Sequence, residues 1–240
     1  MSALEIILLV IFLIFPVIDL VLEKYKSNNK KFEYCKTSAV LWCLTGLIVF
    51  IYFQGELSVT HPFILPNTLW KTVFAGTLIL LFIIYMIYVM HTIVQSEKIR
   101  NEIVSSLEHS GDSLNDLMPE SRSELFMFTF VVSVTAGICE ELIFRWYLLN
   151  VIELHSNWVI AAIGSSIVFG LWHFYLGWKH VIKTALIGLV LCGLYLYFES
   201  ILLVILIHIL MDVYSGLVAY LARKESQRVL VKQYTKCQSY

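Results

Sequence analysis

The chain carries little charge for its length. Only 15% of its 240 residues are Asp, Glu, Lys or Arg, whereas 59% are hydrophobic and the mean hydropathy is +0.78. A water-soluble domain is nearer half apolar and a quarter charged, so these values exclude a soluble globular fold. They also exclude a disordered chain, which needs low hydrophobicity.

A basic excess and paired cysteines are absent as well. The 17 Lys and Arg are balanced by 18 Asp and Glu, and the formal charge of -1 provides no basic surface for nucleic acid. The five cysteines form no C-x-x-C pair and are odd in number, so neither a disulfide framework nor a cysteine zinc site is indicated. Nucleic acid is therefore not an expected partner.

What the chain has instead is long apolar runs. A helix needs about 20 apolar residues to cross a bilayer. The hydropathy predicts an all-α, polytopic transmembrane helix bundle of about seven spans, within a range of six to eight, and a single long hydrophilic loop at 95–123. The predicted spans are 4–22, 38–53, 69–94, 125–152, 158–178, 181–198 and 201–222.

Basic residues on alternate connections predict the orientation. Lysines follow the first span, none occur at 54–68, and the pattern alternates to the basic C-terminal end. By the positive-inside rule the N-terminus is outside and the C-terminus cytoplasmic, in an integral multi-pass protein of the cell (plasma) membrane. We expect one membrane domain over 1–240, with accessory N-terminal helices and a loop at 1–123, a catalytic core at 124–222 and a cytoplasmic tail at 223–240.

Ionisable side chains interrupt the apolar runs of the second half. Each costs about 2.5–3.5 kcal/mol at the bilayer centre on insertion scales, so such residues indicate function. We expect them to converge on one hydrated cavity in which they satisfy each other. The six are Glu140, Glu141, Arg145, His173, His208 and Asp212.

Helical spacing supports this convergence. Glu141 and Arg145 are four residues apart on one face, so the guanidinium can orient that carboxylate. Glu140 points about 100° away and is free for another partner. His208 and Asp212 are also four apart, so Asp212 can accept a proton from one ring nitrogen and fix the tautomer.

A glutamate beside two histidines in a cavity shielded from lipid can activate water. The carboxylate takes a proton from water and passes it to a leaving amine, while one histidine polarises the water and the other donates to the oxyanion. Phe169 shares a helical face with His173 and can wall the same pocket. The residues thus predict hydrolysis of a peptide or amide bond within the membrane; a Glu/His/His metal site that activates the water fits equally well.

Three short motifs follow one another on successive apolar runs: Glu140-Glu141-x-x-x-Arg145, Phe169-x-x-x-His173 and His208-x-x-x-Asp212. Together they resemble the signature of the CPBP (Abi) family of intramembrane proteases. That family includes the type II CAAX prenyl endopeptidases and bacterial relatives linked to bacteriocin self-immunity. The resemblance covers about 125–217 and implies a CAAX prenyl protease 2-like hydrolase acting on a peptide or protein that is prenylated or membrane-associated.

The resemblance also implies residue roles. Glu140 and His173 would activate the water, His208 and Asp212 would line the oxyanion side, and Glu141 with Arg145 and Phe169 would support the site. Many members carry Asn where this chain has Asp212, and an ionised Asp cannot donate a hydrogen bond, so we expect Asp212 to be a partner of His208 or of a metal.

Two alternatives concern the cofactor. The family is often labelled metalloprotease, but a metal-free glutamate mechanism has also been proposed for it. The cofactor is therefore none, or a zinc-like divalent metal held by Glu140, His173 and His208. Two further alternatives concern function: a non-catalytic membrane immunity or partner-binding protein of the same family, and a transporter that uses the acidic and imidazole groups as a proton relay.

Depth poses a difficulty for a catalytic site of this composition. A straight helix from Glu124 places Glu140 about 24 Å from the cytoplasmic end, whereas His173 is expected close to that end. We therefore predict that the fourth span is interrupted at Gly137.

Overall fold

The computed structural model describes the backbone of residues 2–238 and the side chains of residues 2–111 and 113–225; within these residues it contains helices and no strand. The helices are α1 (Ala3–Glu23), α2 (Lys30–Phe53), α3 (Leu69–Gln95), α4 (Glu97–His109), α5 (Asp112–Leu117), α6 (Arg122–Leu154), α7 (Trp158–Trp172), α8 (Trp178–Phe198) and α9 (Ile201–Gln238). A short 3-10 turn, Phe174–Leu176, joins α7 to α8. The predicted all-α class is confirmed.

Six helices among the described residues are long and apolar enough to cross a membrane: α1, α2, α3, α6, α8 and α9 as far as Glu225. The predicted fifth span is the shorter helix α7, of 15 residues. Their outward faces are apolar, as a lipid environment requires; Val17 of α1 and Ile87 of α3 are each more than 60% exposed. The chain is a multi-pass membrane protein, and its orientation and domain boundaries stay predictions.

The polar segment 95–123 is not the loop that we expected. It folds into α4 and α5, and Ser96 caps α4 by accepting from the backbone N–H of Ile99. The buried Arg100 of α4 donates to the carbonyls of Ile93 and Val94 at the end of α3, 2.9 Å from each. A cation at a helix C-terminus is favourable, and it folds α4 back against the bundle.

Helix α6 is continuous, so the predicted interruption at Gly137 is wrong. A Cβ at Gly137 would overlap the side chain of Ile209 and lie 3.1 Å from its backbone nitrogen and 3.2 Å from the Ile205 carbonyl oxygen. The glycine therefore permits close contact between α6 and α9 instead of ending a helix.

Two π-helical segments, Phe128–Val132 and Leu142–Leu148, interrupt the α-helical hydrogen bonding of α6. A π-helix pairs each carbonyl with the N–H five residues later, and such segments occur often at functional sites. A serine hydroxyl donates to one carbonyl in each: Ser133 to Phe128 at 2.9 Å and Ser165 of α7 to Phe144 at 2.7 Å. The second segment begins directly after Glu141 and contains Arg145.

The loop at 54–68 ties three helices together at one end of the bundle. Its Ser58 donates through its backbone N–H and its hydroxyl to the fully buried carboxylate of Glu5 in α1, at 3.0 and 2.7 Å. Its Thr60 carbonyl accepts from the indole of Trp146 in α6, and its Phe63 carbonyl accepts from the N–H of Ile201 at the start of α9. Trp146 and Ile201 therefore lie at a similar level.

Candidate active site

A buried ion pair forms the base of the site. Arg145 and Glu141 are both fully buried, and the guanidinium Nε lies 3.0 Å from Oε2 of the carboxylate, as the four-residue spacing predicts. The guanidinium also lies over the Phe169 ring, 4.4 Å from its centre. A buried charge without a partner is strongly destabilising, so each of these two residues depends on the other.

His208 of α9 joins this pair from the opposite side. Its Nδ1 lies 2.6 Å from Oε1 of Glu141, so one carboxylate contacts both Arg145 and His208. Its Nε2 lies 3.8 Å from the carboxylate oxygens of both Glu140 and Asp212. That distance exceeds a hydrogen bond, so the expectation that Asp212 fixes the His208 tautomer is wrong; Glu141 holds the ring instead. The close contact at Gly137 brings Glu141 within reach of α9.

His173 stands at the C-terminal end of α7. Its Nδ1 lies 2.9 Å from the Phe169 carbonyl oxygen. Because a carbonyl only accepts, Nδ1 carries the proton and the Nε2 of a neutral ring has its lone pair available. The Phe169 ring lies 5.0 Å from the His173 ring and 6.0 Å from the His208 ring, between centres. Phe169 thus contacts both histidines, and the structure brings the three motifs together.

The exposure of the site side chains increases from the Glu141–Arg145 pair to Asp212. The side chains of Glu141 and Arg145 are 0% and 1% exposed, those of His208 and Glu140 are 8% and 11%, and that of Asp212 is 30%. The first two can therefore support the site but not touch a substrate, Glu140 is buried as well, and Asp212 is the most exposed of the five.

The sequence analysis did not identify Tyr175, which lies in the 3-10 turn after α7 and belongs to none of the three motifs. Its ring stacks on that of His173, with 6.4 Å between centres and 23° between planes. The carboxylates of Asp19, Glu140 and Asp212 lie within electrostatic range of the hydroxyl, and burial together with these charges raises the pKa of Tyr175. The phenol therefore stays protonated and can donate a hydrogen bond beside the site.

The donors expected for a metal are Glu140, His173 and His208. Among residues whose side chains the structure describes, no group of three His, Cys, Asp or Glu is arranged to hold a metal ion. His208 uses Nδ1 for Glu141, and its Nε2 is 3.8 Å from the carboxylate oxygens of Glu140 and Asp212. Nitrogen and oxygen ligands lie about 2.0–2.2 Å from a tetrahedral zinc and so about 3.3–3.6 Å from one another. Both cofactor alternatives stay predictions.

Comparison with known proteins identifies one family. Residues 122–214, which include all three motifs, match the family model described as type II CAAX prenyl endopeptidase Rce1-like. Over these residues the chain is similar to that family of proteases. The match confirms the predicted resemblance. No curated protein and no solved structure matches the chain significantly.

Proposed function

We propose that the protein is an intramembrane endopeptidase of the CAAX-protease-like kind, which hydrolyses a peptide bond with water activated by Glu140 and His173. The observation that carries the proposal is the assembly of the Rce1-like motifs around Phe169. The ring of Phe169 contacts both histidines, and a buried Glu141–Arg145 pair holds His208 with its Nε2 towards Glu140.

Glu140 is the general base in this proposal. Its carboxylate removes a proton from water, whose oxygen forms a bond to the carbonyl carbon of the substrate. The Nε2 lone pair of His173 accepts the other water hydrogen and so orients the attack. The tetrahedral intermediate then collapses with cleavage of the C–N bond, and Glu140 returns the proton to the leaving amine. The products are a carboxylic acid and an amine, and the enzyme ends as it began.

His208 stabilises the oxyanion when its Nε2 carries a proton. The Nδ1 contact with Glu141 fixes the ring, so the donor is in place before the charge develops, which is the main source of such stabilisation. Asp212 cannot donate as a carboxylate. Its position 3.8 Å from the His208 Nε2 makes it an electrostatic partner of a protonated His208.

The proposed substrate is a peptide or protein segment in the membrane, prenylated or otherwise membrane-associated. The family match and the helices that can cross a membrane both support this class, because the scissile bond must reach a site among those helices.

The test is proteolysis by purified protein in lipid with a panel of prenylated and non-prenylated membrane peptides. We expect Glu140→Gln and His173→Ala to lower the cleavage rate by about 10³-fold, because a general base alone contributes about 10²–10⁴-fold. Two matched controls should keep the wild-type rate: Glu153→Gln, on the exposed end of α6, and His155→Ala, in the exposed turn after it.

Full cleavage by both active-site variants would refute the proposal. If the wild-type protein binds membrane peptides without cleaving any, and both variants bind equally well, the non-catalytic partner-binding alternative is correct instead.

A further inference from the structure

Helix α1 contains a proline in its interior, Pro16. Proline has no N–H, so it cannot donate to the carbonyl four residues earlier, which belongs to Phe12. Phe12 is fully buried. A buried carbonyl without a donor is costly, so the helix leaves an acceptor inside the bundle that another group must satisfy.

Trp172 of α7 supplies the donor. Its indole Nε1 lies 3.0 Å from the Phe12 carbonyl oxygen, and its side chain is buried. The rings of Phe15 and Phe12 pack on the indole, 4.2 and 5.9 Å away between centres. On the α6 side the Phe144 ring meets it edge-on at 4.9 Å. The indole is therefore fixed by a hydrogen bond to α1 and by rings on both sides.

This fixed indole immediately precedes His173. Helix α7 ends at Trp172, and the backbone of His173 already departs from helical geometry, with φ −98° and ψ 17°. At such an end the backbone lacks the support of a following helical turn, so a neighbour that holds Trp172 also limits the position of the His173 ring. The other restraint on that ring is its own bond to the Phe169 carbonyl.

We infer that α1 is part of the active site, and that Trp172, bonded to the carbonyl that Pro16 leaves free, is a positioning residue for His173. The inference rests on the proposed function. It extends the site to a helix that lies outside residues 122–214, and it gives a chemical reason for a proline within a membrane-spanning helix. The first helix is then more than the accessory element expected from the sequence.

The first test is Trp172→Phe, which keeps an aromatic ring and removes the N–H. We expect kcat to fall about tenfold, less than the ~10²-fold that a full ångström of misplacement can cost, with KM within about twofold of wild type. Trp158→Phe is the matched control, because Trp158 begins the same helix and is 60% exposed; it should keep the wild-type kcat.

The second test separates positioning from stability. In Trp172→Phe the Phe12 carbonyl loses its donor, and Pro16→Ala supplies a new one from within α1. The double variant should therefore regain more thermal stability than Pro16→Ala adds to the wild-type protein, which is the signature of a coupled pair. Its kcat should stay about tenfold low, because Trp172 no longer holds the end of α7.

Recovery of kcat together with stability would reduce Trp172 to a structural residue and overturn the inference. So would an unchanged kcat in Trp172→Phe, or an additive stability cycle. If the wild-type protein cleaves no peptide, the proposed function is refuted together with this inference. If the wild-type protein cleaves and any of the three results above is found, only the role of α1 is refuted.

Discussion

The sharpest test of the site geometry is the substitution Gly137→Ala. The added methyl group would overlap the Ile209 side chain and press on backbone atoms of Ile205 and Ile209, 3.2 and 3.1 Å away. Side chains can rotate but a helix backbone cannot, so α9 must move outward by a few tenths of an ångström. His208 precedes Ile209, and its 2.6 Å contact with Glu141 must lengthen accordingly.

The magnitude follows from two opposing effects. Alanine in a helix interior is more stable than glycine by about 0.5–1 kcal/mol, whereas an extra methyl group in a packed contact costs about 1–3 kcal/mol. We expect Gly137→Ala to lower the free energy of unfolding by about 1 kcal/mol on balance. Gly193→Ala in α8 is the matched control, because no atom outside the adjacent backbone of its own helix lies within 4 Å of its added Cβ. It should gain stability, so the difference between the two variants isolates the cost of packing.

The assay combines thermal unfolding in detergent with cleavage of a membrane peptide. Gly137→Ala should unfold at a lower temperature than Gly193→Ala and lose about tenfold in kcat, since small displacements of a catalytic group are costly. A Gly137→Ala protein as stable and as active as Gly193→Ala would show that α6 and α9 do not need this close approach and that the position of His208 does not depend on it.

Two further predictions concern the base of the site and its cofactor. Glu141→Gln leaves the buried Arg145 without a counter-charge and should destabilise the protein by about 3–5 kcal/mol, measured by unfolding beside the exposed control Glu153→Gln; a loss below about 1 kcal/mol would contradict a buried pair. A metal chelator should leave the cleavage rate within about twofold of the untreated protein, because in the proposed mechanism Glu140 and His173 activate the water without a metal; a rate that falls and returns with Zn²⁺ would support the metal alternative instead.

The fold could be predicted well from the sequence because the bilayer allows few structures. A run of about 20 apolar residues has to become a helix, since no water is present to satisfy its backbone, and every predicted span corresponds to a helix. The segment 95–123 could not be predicted in the same way. Its helices depend on a cap at Ser96 and on Arg100 reaching the end of α3, and both are tertiary or local polar contacts that hydropathy does not reveal.

The site could be predicted in composition but not in pairing. The four-residue spacing identified the Glu141–Arg145 contact, because both residues share one helix. The same spacing failed for His208. It predicted Asp212, on the same helix, as the partner of the ring, whereas Glu141 from another helix contacts the ring at 2.6 Å. Contacts between helices depend on how closely the helices approach, and at Gly137 that distance follows from the absence of a side chain.

The depth difficulty disappears when distance is measured from the turn that α6 and α7 share. Glu140 precedes the end of α6 at Leu154 by fourteen residues, about 21 Å, and His173 follows the start of α7 at Trp158 by fifteen, about 22 Å. The two residues therefore lie at the same level without any interruption at Gly137. The expectation failed because it assumed that α7 crosses as far as α6, whereas α7 ends after 15 residues.

Helix α9 reaches the same level from its own start. Ile201 is bonded to the loop that also binds Trp146. His208 lies seven residues after Ile201, and Glu140 lies six residues before Trp146. Three helices of unequal length thus present their polar residues at one depth, although α9 begins level with Trp146, eight residues or about 12 Å before α6 ends.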